Sequence, residues 1–345
     1  MTDETRELVR QRLSQAQSRL ANLKDDLALS SVQSDIEEIS TSLRLLPGDI
    51  EKLRARGYVF KSFLEKKVSA LDEEWQRKRN EVAREVRTRV RELAEASDKA
   101  DEVVRGASAF RESTVDRAES AVEGLEQRIS GARNSVESMY DNLKQNVWTT
   151  SEDVKSITWM FDQVDEACFG LRPGEDLVAV CNAQLLETKK DGPSGLLYLT
   201  DERLIFERKE KVAKKKVLFI ATEKEMVQEV VLDMSIGLVE NTKATDKGLF
   251  GGKELLELLF AREADIDEAT LRLKGAKNED WAAAIGRIQS GEIAKERTKP
   301  KDEAVVEAAQ AAPSKCPYCG ATLEVVVVRG MREISCDYCG SVIRL

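Results

Sequence analysis

No histidine occurs anywhere in the 345 residues. That absence removes imidazole as general base and as metal ligand, and with it Ser–His–Asp and Cys–His catalysis. Aromatic residues are scarce at 5%, while charged residues reach 34%. Such a mixture suits long solvated helices better than one large core. No apolar run approaches the eighteen residues or so of a bilayer-spanning helix. The densest string, residues 325–328 (VVVV), fits a strand. The amino-terminal MTDETRELVRQRL has no apolar signal core. A cytoplasmic, reducing setting is therefore expected, with any membrane contact peripheral and on the inner face. Cysteines in that setting read as metal ligands or buried thiols before disulfides. A formal net charge of -9 argues against a chain that coats nucleic acid. The length suggests two or three domains.

What is present begins with helix. Residues 5–167 hold one proline, Pro47, and show heptad-like spacing. Val9, Leu13, Ala16, Leu20, Leu23 and Leu27 step by three and four, and Val32, Ile36, Ile39, Leu43 and Leu46 resume the seam. Leu46-Pro47-Gly48-Asp49 should break the helix, with Asp49 capping the next. A second seam runs from Leu64 through Trp75 to Leu93, and EASDKADEVVRGAS reads as a bend. The third, from Val115 to Leu143, is the most regular. Three long helices are expected, either packed within the chain or forming a coiled coil that makes a homo-oligomer. Two aromatic clusters, Tyr58, Phe60 and Phe63, and Trp159, Met160 and Phe161, read as packing surfaces.

Near residue 168 the apolar period changes to two. Strands are expected over 176–187, over 195–210 with a turn at 200–202, and through KVLFIATE, EVVLDMSIGLVENT, KELLELLFAR and ATLRLKGAK. Loops are expected at 190–195, 247–248 and 251–252. NEDWAAAIGRIQSGEI reads as a helix capped by Asn278. The hairpin GLLYLTDERLIFE resembles that of GRAM and bacterial pleckstrin-homology-like domains, and KGLFGGKELLELLF followed by a strand and a Trp-containing helix keeps the family's order. The resemblance covers about residues 172–292. It implies a PH-like antiparallel β-barrel with a C-terminal helix, and a non-enzymatic role in binding lipid headgroups, peptides or proteins.

ERKEKVAKKK supplies Arg208, Lys209, Lys211, Lys214, Lys215 and Lys216, read as a loop between strands. Such a loop could attract anionic headgroups, each basic residue contributing about 1 kcal/mol near the surface. The alternative is a solvated hairpin loop diluted by Glu207 and Glu210.

Residues 293–314, charged and alanine-rich, read as a flexible linker. After it come CPYCG and CDYCG, placing Cys316, Cys319, Cys336 and Cys339 in two matched pairs. Each pair lets two thiolates point one way from a tight turn, and Gly320 and Gly340 supply the permissive backbone. Strands over 321–328 and 331–336, joined at Arg329-Gly330, should bring the turns together around one tetrahedral site, as zinc prefers. Residues 315–345 resemble a zinc ribbon. Iron in a rubredoxin-like site and a redox pair are the competitors. Four thiolates leave no open position, so a single structural zinc is expected rather than a catalytic one. Arg329, Arg332 and Arg344 are too few to favour nucleic acid. Cys168 and Cys181 read as small buried hydrophobes.

The expected protein is multi-domain α+β: a helical coiled-coil region at 1–167, a GRAM/PH-like domain at 172–292, a linker at 293–314 and a zinc ribbon at 315–345. It reads as a non-enzymatic scaffold or adaptor for a protein partner or an anionic membrane surface. A nucleic-acid-associated zinc-ribbon protein is the alternative.

Overall fold

The computed structural model describes residues 3–187, 191–217, 220–247, 253–301, 315–323, 325, 327–328, 331 and 333–344, with backbone only for 213–217, 220–224 and 247. The chain divides into two compact units, Met1–Ile50 with Leu64–Val154, and Glu51–Phe63 with Lys155–Leu345. Two of the three boundaries fall inside helices, after Ile50 and after Val154, and the third precedes the helix that starts at Leu64.

The first unit is helical. Its elements are α1 (Asp3–Asp26), α2 (Ser30–Ala55), α3 (Leu64–Arg105), α4 (Glu112–Glu137) and α5 (Asp141–Asp165). The heptad residues face one another within the chain. Ala16 and Leu20 of α1, Val82, Val86 and Leu93 of α3, and Val122, Leu125 and Ile129 of α4 share one core. These seam residues are packed within the chain, one of the two arrangements expected. Arg12 on α1 ties this packing at the surface, donating to Asp116 at 2.7 Å and to both carboxylate oxygens of Glu119. Trp75 donates from Nε1 to Ser40 Oγ at 2.9 Å and meets the Tyr140 ring edge-on.

Five helices replace the expected three, and two breaks differ. Pro47 lies inside α2, and so does Asp49. Leu43, Leu46 and Ile50 are buried on either side of the proline. Their continuous stripe holds the helix across the missing N–H. The EASDKADEVVR stretch likewise stays helical to Arg105, because Ala100 and Val104 continue the seam.

The second unit is built on a seven-stranded antiparallel sheet. Its strands are β1 (Leu177–Leu185), β2 (Ser194–Thr200), β3 (Arg203–Val217), β4 (Ile220–Ser235), β5 (Val239–Lys247), β6 (Lys253–Phe260) and β7 (Glu268–Lys274). Their order is β4-β3-β2-β1-β7-β6-β5. Strands β4 and β5 are therefore edges, and the expected barrel is open there. A 3-10 turn, Ile236–Leu238, joins them. Helix α6 (Asn278–Gln289) packs against β5, β6 and that turn, burying Trp281, Ile285 and Ile288. Gln289 donates to the carbonyls of Ile236 and Val239, satisfying backbone acceptors at the open corner. Asn278 is not the cap, which is Lys277. Asn278 is buried and donates to Asp246 and to the Leu255 carbonyl, fixing α6 to the sheet.

The aromatic clusters pack as expected, apart from exposed Phe63. Tyr58, Val59, Phe60, Ile157, Met160 and Phe161 are buried. Arg54 donates to the carbonyls of Tyr58, Phe60 and Lys61 at 2.9, 2.7 and 3.1 Å, shaping the loop after α2.

The first part of the expected linker is not free. Glu292–Glu296 forms a 3-10 turn with Ile293 buried. Thr298 N–H donates to the Val59 carbonyl at 2.7 Å. Arg297 is paired with Asp176 and with Asp201, the latter at 3.1 Å, and stacks over the Phe60 ring at 5.2 Å. Charge composition suggested solvation, but these cations have buried carboxylates to meet. Residues 302–314 lie outside the described residues, as do the loop positions 190, 248 and 251–252.

Candidate metal centre

The four cysteines of the carboxy-terminal module converge. Each pair sits in the same local turn, and the two turns repeat bond for bond. Gly320 N–H donates to the Cys316 carbonyl at 2.9 Å, and Cys316 N–H to the Ala321 carbonyl at 2.8 Å. In the second turn, Gly340 N–H donates to Cys336 at 2.7 Å and Cys336 N–H to Ser341 at 3.0 Å. Gly320 and Gly340 adopt φ of 74° and 70°, a region that a Cβ disfavours. A Lys315–Thr322 bridge flanks the first turn. Strands β8 (Glu333–Ser335) and β9 (Val342–Arg344) flank the second.

All four Sγ atoms lie within 4.8 Å of one another. Cys316 to Cys339 and Cys319 to Cys336 are each 3.7 Å. Sulfurs at about 2.3 Å from a tetrahedral centre stand about 3.8 Å apart. A disulfide would need about 2.05 Å. The geometry is therefore that of a four-thiolate site, and the donor set fits a soft or borderline cation. Ser341 Oγ lies 3.3 Å from Cys339, and hydrogen bonding by Ser341 pulls that thiol down to about 6. At Cys319 the Ala321 N–H favours the thiolate, but the Cys339 sulfur and desolvation outweigh it and push the thiol up to about 12. Sulfurs this close oppose joint ionisation unless a cation sits among them.

The pairing of strands in this module differs from expectation. Met331 N–H donates to the Val328 carbonyl at 3.0 Å. β8 pairs with β9, and among the described residues of 321–328 none pairs with it. Each knuckle closes its own short hairpin, which satisfies nearby backbone groups first. Arg329, Gly330 and Arg332 lie outside the described residues.

The basic cluster is not a loop. Arg208, Lys209 and Lys211 lie on β3, which continues to Val217 paired with β4. Within it, Arg208 stands directly opposite Glu229, an opposite-charge cross-strand pair. Arg208 pairs with Glu210 at 2.9 Å and Glu229 at 3.1 Å, and Lys209 pairs with Glu166 at 2.8 Å. Lys214, Lys215 and Lys216 also fall on β3, but their side chains lie outside the described residues.

Two buried carboxylates escaped the sequence reading. Glu207 accepts from Cys168 N–H at 2.7 Å, from Tyr198 Oη at 2.8 Å and from Gln228 Nε2 at 2.8 Å. Glu175 accepts from Arg203, Thr200 and the Arg172 N–H. The glutamate of the FE pair following β3's apolar run was its sole signal. Cys181 is buried as expected, but Cys168 is exposed. Burial and Glu207 push the Cys168 thiol up to about 11, so it is not a poised thiolate.

No family model matches the chain, and no curated protein matches it. Solved structures that match include PH domains. The Vps36 N-terminal PH domain is 14% identical over 36% of this chain and 85% of its own, with a TM-score of 0.25. The DH/PH domains of p115-RhoGEF are 12% identical over 84% of this chain and 95% of theirs, with a TM-score of 0.23. Those of PDZ-RhoGEF, in complex with GTP-gamma-S activated RhoA, are 10% identical over 84% and 96%, with a TM-score of 0.27. At these values the matches assign neither a family nor an activity.

Proposed function

We propose that this chain is a non-enzymatic adaptor. A helical unit carries a GRAM/PH-like module that binds a protein partner, and a zinc ribbon adds a second contact. The observation that carries the reading is the closed four-thiolate cluster of Cys316, Cys319, Cys336 and Cys339, whose sulfurs leave no side open for substrate. A zinc bound there would cross-link a module too small to fold on apolar burial. The strand order, the helix after β7 and the GLLYLTDERLIFE hairpin support the PH-like assignment. We place the chain in the cytoplasm. No described helix is long and apolar enough to cross a membrane.

A protein partner is favoured over an anionic membrane because Arg208 and Lys209 are already paired with carboxylates. Membrane docking through β3 remains a second reading, carried by the same-face positions Lys209 and Lys211. Cosedimentation with anionic and neutral liposomes at two salt concentrations separates the two. The protein-adaptor reading expects no salt-sensitive binding to anionic vesicles. Binding lost when Arg208, Lys209, Lys211, Lys214, Lys215 and Lys216 become Gln would establish the membrane reading instead.

A further inference from the structure

The end of α5 and residues 166–170 lie across one face of the sheet as a strap with many anchors. Tyr198 Oη donates to the Gln163 carbonyl at 3.3 Å, and Gln228 Nε2 to the Glu166 carbonyl at 2.7 Å. Phe169 meets the Tyr198 ring edge-on at 4.9 Å. Arg203 Nη2 donates to the Gly170 carbonyl at 3.1 Å. The strap is therefore a preformed surface. Against its last residue lies Val328 of the cysteine module. A Cβ at Gly170 would fall 2.7 Å from Val328 Cγ1 and 2.9 Å from its Cβ. Gly170 does not have a positive φ. Close approach, not backbone conformation, is what glycine permits here.

The module that supplies Val328 has little else to hold it together. Its core cluster is Cys316, Cys336 and Ile343, with Ala321 and Leu323 against it and Ile334 buried nearby in sequence, so two of the four buried residues described in it are candidate metal ligands. Val325, Val327 and Val328 are only half-buried. Without a cation among the sulfurs, this apolar surface has almost no scaffold.

We propose that the ribbon is a metal-held latch on its own chain, seating Val328 over Gly170 while the cation is bound and uncovering the strap at 168–170 when it is lost. The inference rests on the zinc-ribbon reading above. The latch makes exposure of this face of the sheet module depend on metal, so the ribbon's first partner is the strap itself.

The test is hydrogen exchange on the full chain, comparing peptides over residues 166–172 before and after chelation, with bound zinc counted beforehand. Chelation is expected to speed exchange over residues 166–172 by about tenfold or more, as Val328 ceases to shield Gly170 while the strap's bonds to the sheet persist. Val328→Asp should do the same with one zinc retained, and Gly170→Val should act from the other side. Because Gly170→Val can disturb the sheet, Val328→Asp is the deciding variant. Strap exchange unchanged in both the chelated protein and Val328→Asp would overturn the latch while leaving the zinc site intact. A chain that binds no zinc would overturn both readings.

Discussion

Arg203 grips Glu175 through a two-bond fork inside the sheet module. Nε and Nη2 each reach a separate carboxylate oxygen at 2.8 Å. The side chains are 5% and 0% exposed. Arg203 also donates to Asp233 at 2.6 Å. Breaking a buried pair from one side leaves a charge without its partner, at a cost of about 3–5 kcal/mol. Arg203→Met is expected to destabilise the second unit by that order, read as a lowered urea midpoint, and Arg203→Lys to restore little because it lacks the planar fork.

The same pair sets an acid limit. Burial pushes the Glu175 pKa up, but the Arg203 fork, the Arg172 N–H and the Thr200 hydroxyl outweigh it and leave it lowered. A lowered folded-state pKa makes its stabilisation complete above the unfolded carboxylate range of about 4.3. That stabilisation is lost as pH falls through the folded value. Urea melts between pH 7 and pH 3 should therefore show a loss of stability beginning near the unfolded range. The slope should be shallower in Glu175→Gln, and an equal slope in the two proteins would remove Glu175 from the account.

Arg297 sets a boundary that composition does not suggest. It lies between Asp176 and Asp201 with its guanidinium over Phe60, and all three ionic groups are nearly buried. Lys301 adds a contact to Glu202 at 2.6 Å. A truncation ending at residue 290 is expected to destabilise the sheet module, whereas one ending at residue 301 is not. Arg297→Ala in the full chain should cost about 3 kcal/mol, read as a lowered thermal midpoint.

Metal removal should have a local signature. Cys319→Ser or Cys336→Ser is expected to drop bound zinc from one per chain to below measurable stoichiometry. The helical far-ultraviolet signal should be unchanged, since the first unit has its own core. Binding also releases protons from thiols, so zinc occupancy should fall as the solution is acidified. Cobalt substitution gives the independent readout, because its charge-transfer bands report thiolate ligation directly.

Strong periodicities carried the fold. The heptad residues Val122, Leu125 and Ile129 and the alternation in GLLYLT each point to one face, and burial rewards that face wherever its partner lies. The CxxC pairs were legible because the local turn, not the tertiary fold, sets the direction of both sulfurs. Charged residues were opaque for the opposite reason. Glu175, Arg203, Glu207 and Arg297 look like solvated positions, and only three-dimensional proximity turns them into buried pairs. The continuation of the β3–β4 ladder through residues 211–216, read as a loop, was missed because cross-strand pairs such as Arg208 and Glu229 lie at a separation that no local pattern records.

Pro47 offers the sharpest test of burial against local propensity. It removes an N–H from the interior of α2, where a proline costs about 3 kcal/mol. The buried positions Leu43, Leu46 and Ile50 supply the compensation. Pro47→Ala restores the donor to the Leu43 carbonyl and keeps the apolar stripe, so it should stabilise the helical unit by about 1–3 kcal/mol. Leu46→Ala, which keeps the proline and removes the compensation, should destabilise the unit by about 2–5 kcal/mol. Urea midpoints for the two variants decide the matter. A destabilised Pro47→Ala would mean that the proline's bend is itself required for α2 to pack.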